Sequence, residues 1–232
     1  MRHGYTNRTV GDAARVEKTY QGPDAALRLA REREVLTALR GLLPVPAVRA
    51  VLPHGEDMRV LVLQFLPGSH GQELIEQGYA GEVLRACGEV LRRLHELPVD
   101  VIGAPAGTGQ VLVHGDFGPN NVLLDPVSFA VTGVLDWEFA HLGDPLEDLA
   151  WCEWIVRAHH PAQRDALAEF FSGYGGGVPA WSERRAAMVE RCRLLEGFCR
   201  RWEADGPGGA SIADAGVRLW RERGAAAAQW AE

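Results

Sequence analysis

A chain of 232 residues with 24 Lys and Arg against 31 Asp and Glu, formally −7 at pH 7, is 47% apolar and long enough to bury a sizeable core. Its acidic balance and the lack of a long basic block argue against a nucleic-acid footprint, and its apolar runs suit neither a bilayer span nor a secretory leader. The expectation is a soluble cytoplasmic protein, a monomer or weak homodimer, with no membrane or nucleic-acid partner; Cys87, Cys152, Cys192 and Cys199 form no C-x-x-C pair and read as reduced thiols.

In chain order, a turn at Gly4–Thr9 precedes an alternating strand, Arg15–Tyr20, with Val16, Lys18 and Tyr20 on one face. Met1 stands so close to that turn that a strand before it is expected to be short or missing. Ala25–Leu39 reads as a helix with Asp24 as its N-cap. Leu29, Glu32, Leu36 and Leu39 share one stripe, and a glutamate inside an apolar stripe wants a cation, for which Lys18 is the candidate. Glu34, rotated roughly 200° from Glu32 by the helical period, reads as solvated.

Val48–Leu52 and Val60–Leu66 read as strands around the polar turn His54-Gly55-Glu56-Asp57, and Pro67-Gly68 closes the second. Tyr79–Leu97 is an amphipathic helix burying Val83, Cys87, Val90, Leu91 and Leu94, with His95 as a packing or capping residue. A loop, Gly103–Gly109, follows.

Residues 111–138 alternate short apolar runs with polar residues that have no packing reason to be there. Val111–Val113, Val122–Leu124 and Val131–Leu135 read as buried strands, and His114, Asp116, Asn121 and Asp136 lie at their ends or on the loop between them. Turn formation accounts for Asn120 and Asp125, but not for a polar residue after every apolar run. Phosphoryl transfer needs a group that orients a hydroxyl, plus a carboxylate and an amide oxygen for magnesium, and Asp116, Asp136 and Asn121 match those needs. A zinc reading of His114, Asp116 and His141 would leave Asn121 and Asp136 unexplained. Asp144-Pro145-Leu146-Glu147 reads as a capping box opening a helix that carries Asp148, Trp151, Glu153 and Trp154. A long helix at Ser182–Trp202, a break at Asp205–Gly209 and a last amphipathic piece, Val217–Trp230, complete the chain.

His114-Gly115-Asp116 followed by Asn121, the strand ending in Asp136-Trp137-Glu138, and the run Gly143–Ala150 together resemble the aminoglycoside phosphotransferase and choline kinase superfamily of small-molecule kinases. The resemblance implies an α+β, two-lobed, protein-kinase-like fold. Residues 1–67 would form a small antiparallel-sheet nucleotide lobe with its hinge at about 63–68; residues 68–232 would form a larger, mainly helical lobe holding the catalytic loop 111–138 and a helical substrate region, 144–232. It implies ATP or GTP with Mg2+ as cofactors, Asp116 as the catalytic residue, and Asn121 and Asp136 as metal ligands. Lys18, paired with Glu32, would hold phosphates under the first hairpin, the backbones of Gln64 and Leu66 would meet the purine, and His114, Asp144 and Asp148 would support the loop. The acceptor would be a cationic or polar hydroxyl compound, met by Glu147, Glu153, Glu196 and Glu203 or, through cation–π attraction, by Trp151, Trp154 and Trp202. The implied activity is O-phosphorylation of a small molecule such as an aminoglycoside or related antibiotic; alternatives are a choline, amino-alcohol or sugar kinase, or a weakly catalytic nucleotide-binding protein. The next helix follows Asp136-Trp137-Glu138 too soon for the long activation loop of a protein kinase.

Overall fold

Residues 7–54, 58–103, 109–202 and 209–232 are described by the structure, a computed structural model. The β-branched residues of its first third build an antiparallel sheet in the order β1-β2-β4-β3 from β1 (Asn7–Gly11), β2 (Arg15–Tyr20), β3 (Val48–His54) and β4 (Met58–Gln64). Two expectations change here. The chain is already strand from Asn7, so β1 is present with five residues, and the hairpin turn lies at Asp12–Ala14 rather than Gly4–Thr9. Asp12 makes that turn: its Oδ1 accepts from the backbone N–H of Ala14 (2.8 Å) and Arg15 (3.0 Å). Residues 4–6 of the expected turn lie outside the described residues, as do the polar turn at 55–57, the loop at 104–108, and 203–208 with Glu203.

Helix α1 (Ala25–Leu39) buries Arg28, Leu29, Glu32, Val35, Leu36 and Leu39, while Glu34 is exposed. Asp24 does not cap it. Its backbone is left-handed (φ 57°) instead of extended, its side chain makes no cap bond, and its carboxylate faces Arg201 at 3.2 Å.

The rest of the chain is mainly helical around short hairpins. Strand β5 (Ser69–His70) pairs with β7 (Val122–Leu124), which pairs with β8 (Val131–Val134), and β6 (Val111–Val113) pairs with β9 (His141–Gly143). A short helix, α2 (Gly71–Glu76), leads into α3 (Ala80–His95), whose apolar stripe packs against α5 (Leu167–Tyr174). Between these lies α4 (Leu146–His159), and beyond them α6 (Trp181–Arg201) and α7 (Gly209–Ala228) run side by side. The α7 helix begins eight residues before the expected Val217. Its early turns carry small residues that let two helices approach: a Cβ on Gly216 would stand 2.7 Å from Cys199 Sγ.

One apolar core continues from Tyr20, Leu36 and Leu61 through Trp137 to Leu84 and Phe170, so the sheet and the helices share a wall at the hairpin that carries the polar motif. Among the described residues no helix is long and apolar enough to cross a membrane.

Candidate active site

The loop after β6 is fixed by Asp148, which is fully buried at the start of α4. Its Oδ2 accepts the backbone N–H of His114 (2.7 Å), its Oδ1 that of Gly115 (2.9 Å), and His95 Nε2 lies 3.2 Å away. Burial works against this charge, but the His95 hydrogen bond and the nearby histidines hold its pKa below the ordinary carboxylate value. Gly115 takes φ +80°, and a Cβ there would run into the Phe139 carbonyl, so the tight turn into Asp116 needs glycine. Buried His114 donates from Nε2 to the Leu135 carbonyl (2.8 Å), accepts at Nδ1 from the Asp116 N–H (3.2 Å), and packs on Trp137. Burial lowers its pKa and keeps the ring neutral, which that donor and acceptor pattern requires.

Asp116 is gripped from both sides. Trp151 Nε1 donates to Oδ1 (2.8 Å), and Asn121 Nδ2 donates to Oδ2 (3.0 Å) and to the Asp116 carbonyl (2.8 Å). Burial first, and then the charge of Asp136, push its pKa up to about 6, against the opposing pull of Arg191, Trp151 and Asn121.

From the sheet, β2 delivers Lys18 and Tyr20 to Glu32 on α1. Lys18 Nζ stands 2.6 Å from Glu32 and 2.5 Å from Asp136, with Glu138 at 3.9 Å, and the Tyr20 hydroxyl donates to the same Glu32 carboxylate. Burial opposes the lysine charge, but three carboxylates outweigh it and raise the Lys18 pKa. The same pairing lowers that of Asp136. Arg28 Nη1 pairs with Glu138 at 2.6 Å, and Asn7 Nδ2 holds both Glu138 oxygens at 3.0 and 2.9 Å.

Glu32, Asp136 and Glu138 offer oxygens within 4.8 Å of one another, each already paired with Lys18 or Arg28. A better fit for magnesium is the pair Asn121 and Asp136. Asn121 spends its Nδ2 on Asp116, which leaves its carbonyl Oδ1 as a hard oxygen donor, and the Asp136 side chain is 30% exposed.

The expected residues separate into two groups. Lys18, Glu32, Asp116, Asn121, Asp136 and Trp151 come together, with His114 and Asp148 beneath them. Gln64 closes β4 with its N–H bonded to the Ala47 carbonyl (2.9 Å). Leu66 packs over Gly133 of β8.

Asp144 and Glu147 make the expected reciprocal cap, Leu146 N–H to Asp144 Oδ1 (2.8 Å) and Asp144 N–H to Glu147 Oε1 (3.0 Å), and Glu147 also meets His141. Glu153 corrects its expectation outright. It is fully buried between Arg157 (2.8 Å) and Arg184 (2.6 Å), because a carboxylate on the inner face of α4 has to be neutralised. Glu196 is held by Arg200 and Arg221, Trp202 packs on Phe198 and over Gly22, and Trp154 is buried, stacked 4.5 Å from Trp151. Sequence reasoning gave no role to Arg28, Glu138, Tyr20 or Arg191. Arg28 carried a usable signal, standing four residues before Glu32 on the same helical face.

A two-lobed kinase-like architecture, in which a sheet lysine meets a carboxylate-and-amide loop, defines a phosphotransferase class. The family model described as "Phosphotransferase enzyme family" matches residues 2–109 and 103–187, and the chain belongs to that family. It is 49% identical over 91 residues to human acyl-CoA dehydrogenase family member 11, a match covering 39% of this chain and 11% of that protein. It is 31% identical over 150 residues to an aminoglycoside 3'-phosphotransferase of Streptomyces ribosidificus, covering 45% of this chain and 57% of that one. The chain thus spans only part of the length of these relatives. In fold it is similar to a thermostable mutant of aminoglycoside phosphotransferase APH(4)-Ia in ternary complex with AMP-PNP and hygromycin B, with a TM-score of 0.70 at 18% identity, covering 99% of this chain and 92% of that one.

Proposed function

We propose that this chain transfers the γ-phosphoryl group of ATP or GTP to a hydroxyl of a small molecule, in the cytoplasm, through a nucleotide lobe of residues 1–67 hinged near 63–68 and a catalytic lobe of residues 68–232. The observation that carries this reading is the meeting of Lys18, Asp136, Asn121 and Asp116 at one place with complementary bonding.

Asp116 orients the attacking hydroxyl and takes its proton as the acceptor O–P bond forms and the bond to the β,γ-bridging oxygen breaks. With a pKa of about 6 it is mostly ionised at neutral pH yet basic enough for a late proton transfer. Trp151 and Asn121 fix its carboxylate plane. Lys18, held in place by Glu32, meets phosphate oxygens and exchanges part of its contact with Asp136 for them. Asn121 and Asp136 would hold magnesium, which when bound supplies neutralisation of phosphate charge.

The neighbouring ternary complex with AMP-PNP supports nucleotide use. The polycationic acceptors of the aminoglycoside relatives need free carboxylates, and Glu147, Glu153 and Glu196 are each engaged by a cap or a cation, so an antibiotic acceptor draws less support than the transfer itself.

The test is magnesium-dependent nucleotide consumption by purified protein against a panel of hydroxyl compounds, with Asp136→Ala as the blank. Acceptor-stimulated turnover in wild type alone is the expected result. Equal turnover in the blank would sink the assignment of Asp136, and a protein that neither binds nor consumes nucleotide would sink the reading.

A further inference from the structure

Among the described residues, buried Arg28 and Arg184 have an acceptor on every guanidinium nitrogen, and half-buried Arg191 does not. Arg28 bonds Pro23 O, Gln21 O and Glu138, and Arg184 bonds Pro179 O, Glu153 and Glu232. Arg191, on α6, has its Nε and Nη2 shielded from solvent, and among the described residues neither atom has a hydrogen-bond partner. A guanidinium offers five N–H donors in a planar fork, and leaving shielded donors unmade is costly.

Its location gives the vacancy a direction. The Arg191 guanidinium lies 5.3 Å from the centroid of Phe139, three residues after Asp136, and 5.6 Å from that of Trp151, whose indole N–H holds Asp116. Both Asp116 oxygens already have donors, Trp151 on one and Asn121 on the other, so Arg191 adds charge to this site without bonding its carboxylate. That charge is felt at Asp116, Asp148 and Glu147. The surroundings do not favour a cationic guest: Arg223 lies over Trp154 and Trp220 on the same aromatic cluster, and the carboxylates that would meet a polycation are engaged elsewhere.

We propose that Arg191 holds an oxyanion of the acceptor, a carboxylate or a phosphate ester, so that the hydroxyl phosphorylated here belongs to an acidic small molecule. This rests on the phosphotransferase reading above and narrows its acceptor. The planar fork suits both oxyanions bidentately, and the rings of Phe139 and Trp151 flank it at 5.3 and 5.6 Å.

Two matched sets test it: glycerol, glycerate and glycerol 3-phosphate, then glucose, gluconate and glucose 6-phosphate, with choline and kanamycin as cations. Acceptor-stimulated nucleotide consumption is measured for wild type, Arg191→Met and Arg191→Lys, with melting curves to confirm that each variant folds. An oxyanion in at least one set should exceed its neutral parent in kcat/KM by roughly 10- to 100-fold. Whether the carboxylate or the phosphate member leads identifies the source. Arg191→Met should erase the preference, and Arg191→Lys should restore part of it. The proposal is overturned if neutral or cationic acceptors serve as well, if the preference survives in Arg191→Met, or if no oxyanion stimulates turnover. The parent reading is judged separately by whether magnesium–nucleotide shifts the wild-type melting temperature and fails to shift that of Asp136→Ala.

Discussion

The two walls of the proposed site are built on opposite principles. On the side proposed for the nucleotide, Lys18, Glu32, Asp136, Glu138, Arg28, Tyr20 and Asn7 form a largely buried network in which every charge has a counter-charge within 4 Å. On the side proposed for the acceptor, Trp151 bonds Asp116 and, with Phe139, flanks Arg191, two of whose nitrogens have no partner among the described residues, while Trp154 and Trp220 pack against Trp151. The first wall is complete without a ligand and can hold its geometry while phosphates exchange. The second leaves polar groups waiting, the condition in which a guest of the right charge gains most.

Asp116 joins the two walls, and the largest effect is expected there. Asp116→Asn should lower turnover by about 10²–10⁴-fold. The same change should stabilise the protein. The folded-state pKa near 6 lies above the usual 3.8, so the ionised carboxylate costs the fold at neutral pH, on the order of 1–3 kcal/mol, and the cost fades as pH falls from 6 toward 4. A melting temperature roughly 2–8 °C above wild type at pH 7.5, converging with it near pH 4, is the expected signature. A variant melting below wild type at neutral pH would mean that Asp116 is a structural residue.

The saturated wall should break rather than merely weaken. Glu138→Ala removes the one carboxylate paired with buried Arg28 and both acceptors of Asn7 Nδ2, at a cost of about 3–5 kcal/mol, read as a melting temperature lower by roughly 10 °C. Loss of nucleotide affinity should accompany it, because Lys18 and Arg28 share these carboxylates. Unchanged melting would show that the network is idle.

A smaller effect separates the walls by pH. Since Asp116 must be ionised to accept a proton, kcat/KM should climb about tenfold per unit up to pH 6 and flatten above it. Magnesium bound at Asp136 offsets the negative charge that raises Asp116, so the inflection should move down as magnesium is raised. An inflection that does not respond would separate Asp136 from the metal.

Much of the nucleotide side was legible in the sequence, because its chemistry is carried by polar residues where periodicity demands apolar ones. Glu32 within the stripe of α1, and Asp136 and Asn121 at strand ends, stand out for that reason. The pairing of Glu138 with Arg28 was harder to read: Arg28's place on the buried face of α1 marks it as a cation in need of a partner, but nothing local names a carboxylate 110 residues away. The turn at Asp12 was missed although Gly11-Asp12 signals it, because Gly4 and Asn7 offered a turn signal earlier in the chain, and the start of α7 because its close packing uses glycine, which carries no hydrophobic signal. On the acceptor side the carboxylates misled. Glu153 sits among tryptophans and has the sequence context of a surface ligand, but the helix turns it inward onto Arg157 and Arg184.

The smallest expected contrast lies between two neighbouring rings. Trp151 and Trp154 stack at 4.5 Å with an interplanar angle of 4°, and both are buried. Only Trp151 spends its indole N–H on Asp116; Trp154 Nε1 has no hydrogen-bond partner among the described residues. Phenylalanine at either position removes similar volume and should cost about 1–2 kcal/mol of stability. Their activities should nevertheless diverge. Trp151→Phe removes a donor that lowers the Asp116 pKa, so it should reduce turnover by about tenfold and move the pH inflection upward. Trp154→Phe should leave both within about threefold, because it removes a group that was never satisfied. If both variants lose activity equally, the stack acts as one packed unit and the indole hydrogen bond contributes nothing of its own to aligning Asp116.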